Sequence, residues 1–323
     1  MKTSWLSFLA CAALGGSLLT SAVSARALDK IHAGTATGLA WAFIPLNIGV
    51  QEGIFAKYGL DVDITSFGGD QKLQLGFASG AIDVGLGGGP AMVFVARGAP
   101  VITVAALVGA PRDISVVVGP NSPVKTVKDL KGKILSSAAT GSLTDWLVKR
   151  LSSAEGWGPD GIRTAVLGGF QPSFAALKTH QIDGMMTATE AGYLLDERHE
   201  GRNLVGMQEY APYFITHAIF ARQQLVAEKP DLVNRFLKGI FATIAFMRAN
   251  KAQTSAISEN VLHFSPGVAS KTYDYEISMF VPDGRFDPKS VAVLKRSFIE
   301  MGVLKTEPRD NQLFTTRFLP VKP

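Results

Sequence analysis

The sequence predicts an α/β fold of two similar lobes, each with a mixed, mainly parallel sheet flanked by helices and with a ligand cleft between them. Three observations predict it. Strand-like and helix-like segments alternate over roughly residues 30–190, the pattern of parallel βαβ units. The stretch Gly68-Gly69-Asp70-Gln71 to Ile82-Asp83 is echoed by Gly168-Gly169-Phe170-Gln171 to Ile182-Asp183, one hundred residues later. Five of these sixteen positions are identical, where average residue usage gives roughly one. Finally, Leu232, Val233, Phe236, Leu237, Ile240, Phe241, Ile244 and Met247 form one apolar stripe at helical spacing, in a last third that reads as mostly helical.

The elements follow in order. Lys30–Ala33 reads as a short strand, followed by the loop Gly34–Gly38 and a helix over Leu39–Gln51. Val62–Phe67 alternates as a strand, and Lys72–Ser79 is a short helix closed by Gly80. Ile82–Leu86 is a strand that turns through Gly87-Gly88-Gly89-Pro90 into a helix over Ala91–Arg97. Val101–Val108 is apolar throughout, as a strand buried on both faces should be. The pattern then restarts with strands Ile114–Val118 and Lys133–Ser136. Thr140–Thr144 opens a helix over Asp145–Leu151. Strand Thr164–Leu167, helix Ser173–Thr179 and strand Ile182–Met186 complete the series.

Residues 1–27 read as a secretory signal peptide: Lys2, an apolar run from Trp5 to Leu19, and a small-x-small site at Ala25-Arg26-Ala27. Cleavage there would leave 296 residues and lower the net charge from +5 to +3. It would also remove Cys11, the single cysteine, so neither a disulfide nor a thiol nucleophile would remain. The expected compartment is therefore the periplasm. The densest basic stretch, Lys125, Lys128, Lys131 and Lys133, lacks interleaved aromatics and arginines and reads as a solvated face, so no nucleic-acid partner is expected.

Catalytic motifs are nearly absent. No two of the five histidines have zinc-ligand spacing, and there is no Gly-x-Ser-x-Gly elbow or P-loop. No cofactor and no metal site is expected. Ser122-x-x-Lys125 lies in a Pro-containing turn and reads as a solvated loop. Binding features are more evident. Gly87–Pro90 and Thr140–Thr144 each place small residues at a helix start, where free N–H groups and the positive dipole end favour anions. Such residues are also plain caps. Trp41, Phe43, Trp146, Phe170, Tyr213, Phe214 and His217 lie on loops or near helix starts and together could wall an organic ligand, although each taken singly is more often core than site. Glu190, at a strand end, and Arg112, at a lobe junction, are the charged residues to follow.

Three segments carry a family resemblance. Gln51-Glu52-Gly53-Ile54-Phe55-Ala56-Lys57-Tyr58-Gly59-Leu60-Asp61-Val62, Ala78-Ser79-Gly80-Ala81-Ile82-Asp83-Val84-Gly85 and Lys128-Asp129-Leu130-Lys131-Gly132-Lys133 resemble, in that order, motifs of the nitrate/sulfonate/taurine/thiamine-precursor binding proteins of ABC importers. The resemblance implies a type II periplasmic binding fold. Lobe 1 would be 28–112 with 217–323, and lobe 2 would be 113–216. It further implies lobe closure on a ligand, a membrane permease and its ATPase as partners, and a monomer. Carried over by position, the ligand would meet Thr37, Gly38, Trp41, Gly69, Gly89 and Pro90 in lobe 1, and Thr140, Gly141 and Ser142 in lobe 2. With no Arg or Lys fixed in these turns, a small organic acid, a sulfonate or carboxylate with an aromatic or apolar body, is expected rather than nitrate. A periplasmic sensor feeding a regulator remains the alternative. Related enzymes on the scaffold use cysteines that the mature chain would lack.

Overall fold

The computed structural model describes residues 27–38 and 40–323; the signal-peptide reading of residues 1–27, and Leu39, lie almost wholly outside them. Two five-stranded mixed sheets, each flanked by helices, form two lobes. The first contains β1 (Asp29–Thr35), β2 (Leu60–Ser66), β3 (Val84–Gly88), β4 (Val101–Val108) and β10 (His217–Arg222) in the order β2-β1-β3-β10-β4. The second contains β5 (Ile114–Val118), β6 (Ile134–Ser137), β7 (Arg163–Val166), β8 (Gly184–Ala188) and β9 (Arg202–Gly206) in the order β7-β6-β8-β5-β9. The orders are equivalent. In each sheet the fourth strand, β10 or β5, runs antiparallel to its neighbours and arrives from the other lobe.

The hundred-residue echo is structural. Gly69 and Gly169 each begin a nine-residue helix, Asp70–Ala78 and Phe170–Lys178. Asp83 N–H donates to the His32 carbonyl (2.7 Å), and the Asp83 carboxylate accepts from His32 N–H (3.0 Å). Asp183 repeats both bonds with Ile134, each at 2.9 Å. The shared Ile-Asp step therefore ties the chain after each short helix to the equivalent strand of its sheet, β1 or β6, while Ile82 and Ile182 are both buried.

The helix Pro230–Ala249 buries its whole expected stripe against the first sheet's helices. Its contact with the helix Ile44–Gln51 is close because glycines meet there: a Cβ on Gly49 or Gly239 would stand 2.5 Å from the Phe55 ring. One apolar core runs from the first lobe into the second. A smaller one, around Val117, Leu177, Met185 and Leu195, lies under the helix Phe170–Lys178. Among the described residues no helix is long and apolar enough to cross a membrane.

Two expectations are corrected. The segment read as one helix from Leu39 is a 3-10 turn, Trp41–Phe43, followed by an α-helix from Ile44, because Pro45 fits only the first turn of a helix. Strands β9 and β10 went unread; β9 is half-buried along its length and carries no alternation.

Candidate functional site

The loops at the carboxyl ends of β1, β2 and β3 face the second lobe. They line an open cavity of about 390 Å³, within the usual range for small-molecule sites. The first lobe supplies Ala36, Thr37, Phe43, Gly68, Gly69, Asp70, Gly88 and His217; the second supplies Leu143, Gly168 and Gly169. The two Gly-Gly copies thus meet across one space. Hollows of about 470 and 490 Å³ lie elsewhere, along the C-terminal tail and behind the Gly119–Pro123 turn, and neither touches a Gly-Gly copy.

Two titratable side chains, Asp70 and His217, line the cavity, and a third, Asp113, stands behind His217 outside the lining. Asp70 Oδ1 accepts from Gly88 N–H at 2.9 Å. His217 Nε2 lies 2.6 Å from Asp113 Oδ2, joining the start of β10 to the crossing into β5. Burial opposes charge on His217. The charge and hydrogen bond of Asp113, helped by Asp70 and the Gly87 carbonyl, nevertheless leave the imidazole pKa above its ordinary value. Burial pushes the Asp70 carboxyl up, partly offset by Gly88 N–H and His217. No lysine or arginine lines the cavity among the described residues. Phe43 sets its ring edge-on against His217, centroids 4.9 Å apart. The same set contains no group of three metal-ligating side chains.

Several expected residues are placed otherwise. Trp41 is fully buried. Its Nε1 donates to Ser258 Oγ at 3.0 Å, and its ring packs on Tyr273 and Phe280. The stacking wall expected of it is not there. Glu190 is buried too, and its Oε1 accepts from Trp41 N–H at 3.0 Å, a bond between the lobes. Burial pushes its carboxyl up to about 7, against the Trp41 N–H and with Asp113 adding to the rise. Glu276 beside it is held well above the usual carboxylate range by burial, Glu190 and Asp113. Arg112 lies over the Tyr275 ring, 5.1 Å from its centroid.

The two helix starts singled out for anion binding spend their amides internally. Gly89 N–H donates to the Thr216 carbonyl (2.8 Å), and Pro90 is buried beside it. Gly141 N–H donates to Asp145 Oδ2 (2.9 Å), and Ser142 Oγ caps Asp145 N–H (3.4 Å). Of this second segment Leu143, not Thr140, Gly141 or Ser142, reaches the cavity. Gly38 is exposed outside the lining. Phe170 stacks on Phe174 (centroids 5.7 Å) rather than facing the cavity. Tyr213, 48% exposed, lies under Lys289. Thr37, Phe43, Gly69 and His217 are the expected residues the cavity brings together. Sequence reasoning missed Asp70, Gly168 and Gly169 as lining residues and Asp113 as the partner of His217. The repeat itself was the available signal for Gly168 and Gly169, whereas Asp113 meets His217 only through strand topology.

The fold has known counterparts. The periplasmic aliphatic sulphonate binding protein SsuA from Escherichia coli superposes with a TM-score of 0.74 at 17% identity, over 88% of this chain and 92% of that one. The alkanesulfonate-binding protein SsuA from Xanthomonas axonopodis pv. citri, bound to MOPS, gives 0.72 at 16% identity, over 88% and 96%. The periplasmic nitrate-binding protein NrtA from Synechocystis gives 0.62 at 18%, over 76% and 70%. These likenesses establish the periplasmic binding protein fold. No curated protein matches the sequence. A family model described as NMT1/THI5 like matches residues 41–254, more than half of the chain. The chain belongs to the NMT1/THI5-like family.

Proposed function

We propose that this protein is the extracytoplasmic solute-binding component of an ABC importer and that it captures a small organic acid between its lobes. The observation that carries the reading is the meeting of Gly68-Gly69 and Gly168-Gly169 across one cavity. Each pair opens a helix whose start has no side-chain cap. First-turn amides and the positive dipole end favour an anionic group, and at such a helix start the ligand can take the place of a cap.

The rest of the lining selects the ligand's body. Phe43 and Leu143 offer apolar surface to carbon, and the cavity's volume suits a molecule of modest size. A bare inorganic anion would depend on the two dipole ends alone, with no guanidinium or ammonium on the lining. The sulfonate-binding relatives fit this reading better than the nitrate-binding one. The units 28–112 with 217–323 and 113–216 would act as the closing lobes, since the chain crosses between sheets only near 109–113 and 207–216.

The remaining parts of the proposal are a permease and ATPase as partners, a monomeric state and export to the periplasm with cleavage near Ala27. They rest on the relatives' named roles and on the signal-like residues 1–27. A binder rather than an enzyme is favoured because the one cysteine, Cys11, falls within that leader.

The test is a thermal-shift screen of the chain from residue 28 onward against alkanesulfonates, carboxylates, pyrimidines and nitrate, because a solute that binds only the native state raises the melting temperature. An organic acid among the hits, absent for nitrate, is the expected result. A shift with nitrate alone would overturn the ligand class.

A further inference from the structure

One difference between the two lobes opens a space in the second that the first fills with its own side chain. In the first lobe Asp83 Oδ2 accepts from His32 N–H, and Asp83 Oδ1 accepts from Arg222 Nη2. The register of β10 against β3 puts Arg222 there: Ala221 pairs with Val84, and Arg222 N–H donates to the Asp83 carbonyl at 3.0 Å. In the second lobe β5 lies against β8 in the same sense, with Val117 opposite Met185. Two residues on, that register brings Gly119 opposite Asp183, so glycine stands where the first lobe has arginine.

A Cβ on Gly119 would meet nothing within 4 Å. Gly119 and Asp183 both line the hollow of about 490 Å³ on the second lobe, which shares no lining residue with the cavity between the lobes. Asp183 Oδ2 is taken by Ile134 N–H, whereas Oδ1 faces Lys133 Nζ at 3.5 Å. That distance is beyond ordinary hydrogen-bond length and the pair is partly exposed, so the contact is weak. The other charges on the lining, Lys178 and Glu200, pair with each other at 3.1 Å.

Position 80 extends the comparison. A Cβ on Gly80 would lie 3.6 Å from Arg222 Nη1, so this position flanks the guanidinium. Its counterpart is His180, which lines the hollow on a left-handed backbone, φ 57°. His199 joins it just past the helix Thr189–Glu197, and the helix Phe170–Lys178 also ends on this rim. The negative ends of helix dipoles favour a cation. Leu177 and Ile182 add apolar surface.

We infer that this hollow binds a small molecule with a guanidinium head on a short apolar chain, at the place where the first lobe seats its own Arg222. The planar head donates to Asp183 Oδ1 as Arg222 does to Asp83, and an imidazole nitrogen of His180 or His199 accepts a further N–H. The chain lies on Leu177 and Ile182.

Butylguanidine and butylamine, both protonated, are titrated calorimetrically into the chain from residue 28 onward. The wild type should bind butylguanidine at least tenfold more tightly than butylamine. Asp183→Asn, whose amide oxygen can still accept from Ile134 N–H, should remove most of that preference. Gly119 lies outside the left-handed region, so Gly119→Arg is free to supply the guanidinium from within. Its melting temperature should match or exceed that of the wild type, and its affinity for butylguanidine should fall at least tenfold. If one of these variants melts at a much lower temperature, the other decides. Gly169→Phe, aimed at the cavity between the lobes, should leave butylguanidine binding within twofold. Equal binding of the two probes, binding of neither, undiminished binding by a folded Gly119→Arg or Asp183→Asn, or loss of binding in a folded Gly169→Phe overturns the inference.

Discussion

Asp83 and Asp183, one hundred residues apart, do the same work in opposite lobes: each carboxylate accepts the N–H of a residue on the equivalent strand of its sheet, β1 or β6, while its own N–H donates to that residue's carbonyl. The pairing ties the chain just after each short helix to its sheet. The Gly-Gly turns at the opposite ends of those helices face each other across the cavity. The consequences can be measured one at a time.

Trp41 supports the fold and not the ligand. Trp41→Phe removes the indole donor to Ser258 and part of a fully buried ring, which should cost about 2 kcal/mol of stability. Denaturant unfolding reads that cost. Calorimetry with the best solute should find the affinity within about twofold of wild type. A tenfold loss of affinity at unchanged stability would bring the ring back to the ligand.

Gly89 is required by packing. A Cβ there would stand 1.7 Å from the Ile215 carbonyl oxygen, a backbone atom on the returning crossing. Gly89→Ala should destabilise by at least about 2 kcal/mol, toward the upper end of overpacking costs. Its denaturation midpoint should fall even when saturating solute is present. Wild-type stability would mean that the crossing yields easily.

Stability should fall as pH rises from about 5 to 8. Glu190 ionises near pH 7 when folded and near the ordinary glutamate value when unfolded. Between those values the native state holds the extra proton, so raising the pH removes stability. His217 acts in the same direction: its folded pKa is raised, so its contribution is present at low pH and is lost as pH passes that value. Glu190→Gln, whose amide oxygen can still accept from Trp41 N–H, should flatten the profile between pH 5 and 7. Thermal melts across that window supply the reading; a wild-type curve that climbs with pH would contradict the assignment.

Much of the fold was legible because of burial. Val101–Val108 and Ile114–Val118 are apolar runs in strands with both faces covered, and their observed limits match the expected ones. β10 was not legible, because insertion of His217–Arg222 between β3 and β4 is decided by topology and leaves no local mark. The site was half legible for the same reason. Small residues after strands marked the loops, but which amides stay open depends on distant acceptors such as the Thr216 carbonyl for Gly89. Asp70 was visible only as a variable place in a repeat; its position on the cavity floor needed the three-dimensional meeting of both copies.

The most direct test fills the space between those copies. Gly169 has an extended backbone, with φ −159°, and a Cβ added there meets nothing within 4 Å. Gly169→Phe should therefore fold as well as wild type while placing a ring where the second copy faces the cavity. Calorimetric titration of the best organic acid into both proteins, alongside their melts, is the decisive measurement. The account predicts at least a hundredfold loss of affinity at an unchanged melting temperature. Undiminished binding by a folded Gly169→Phe would contradict it.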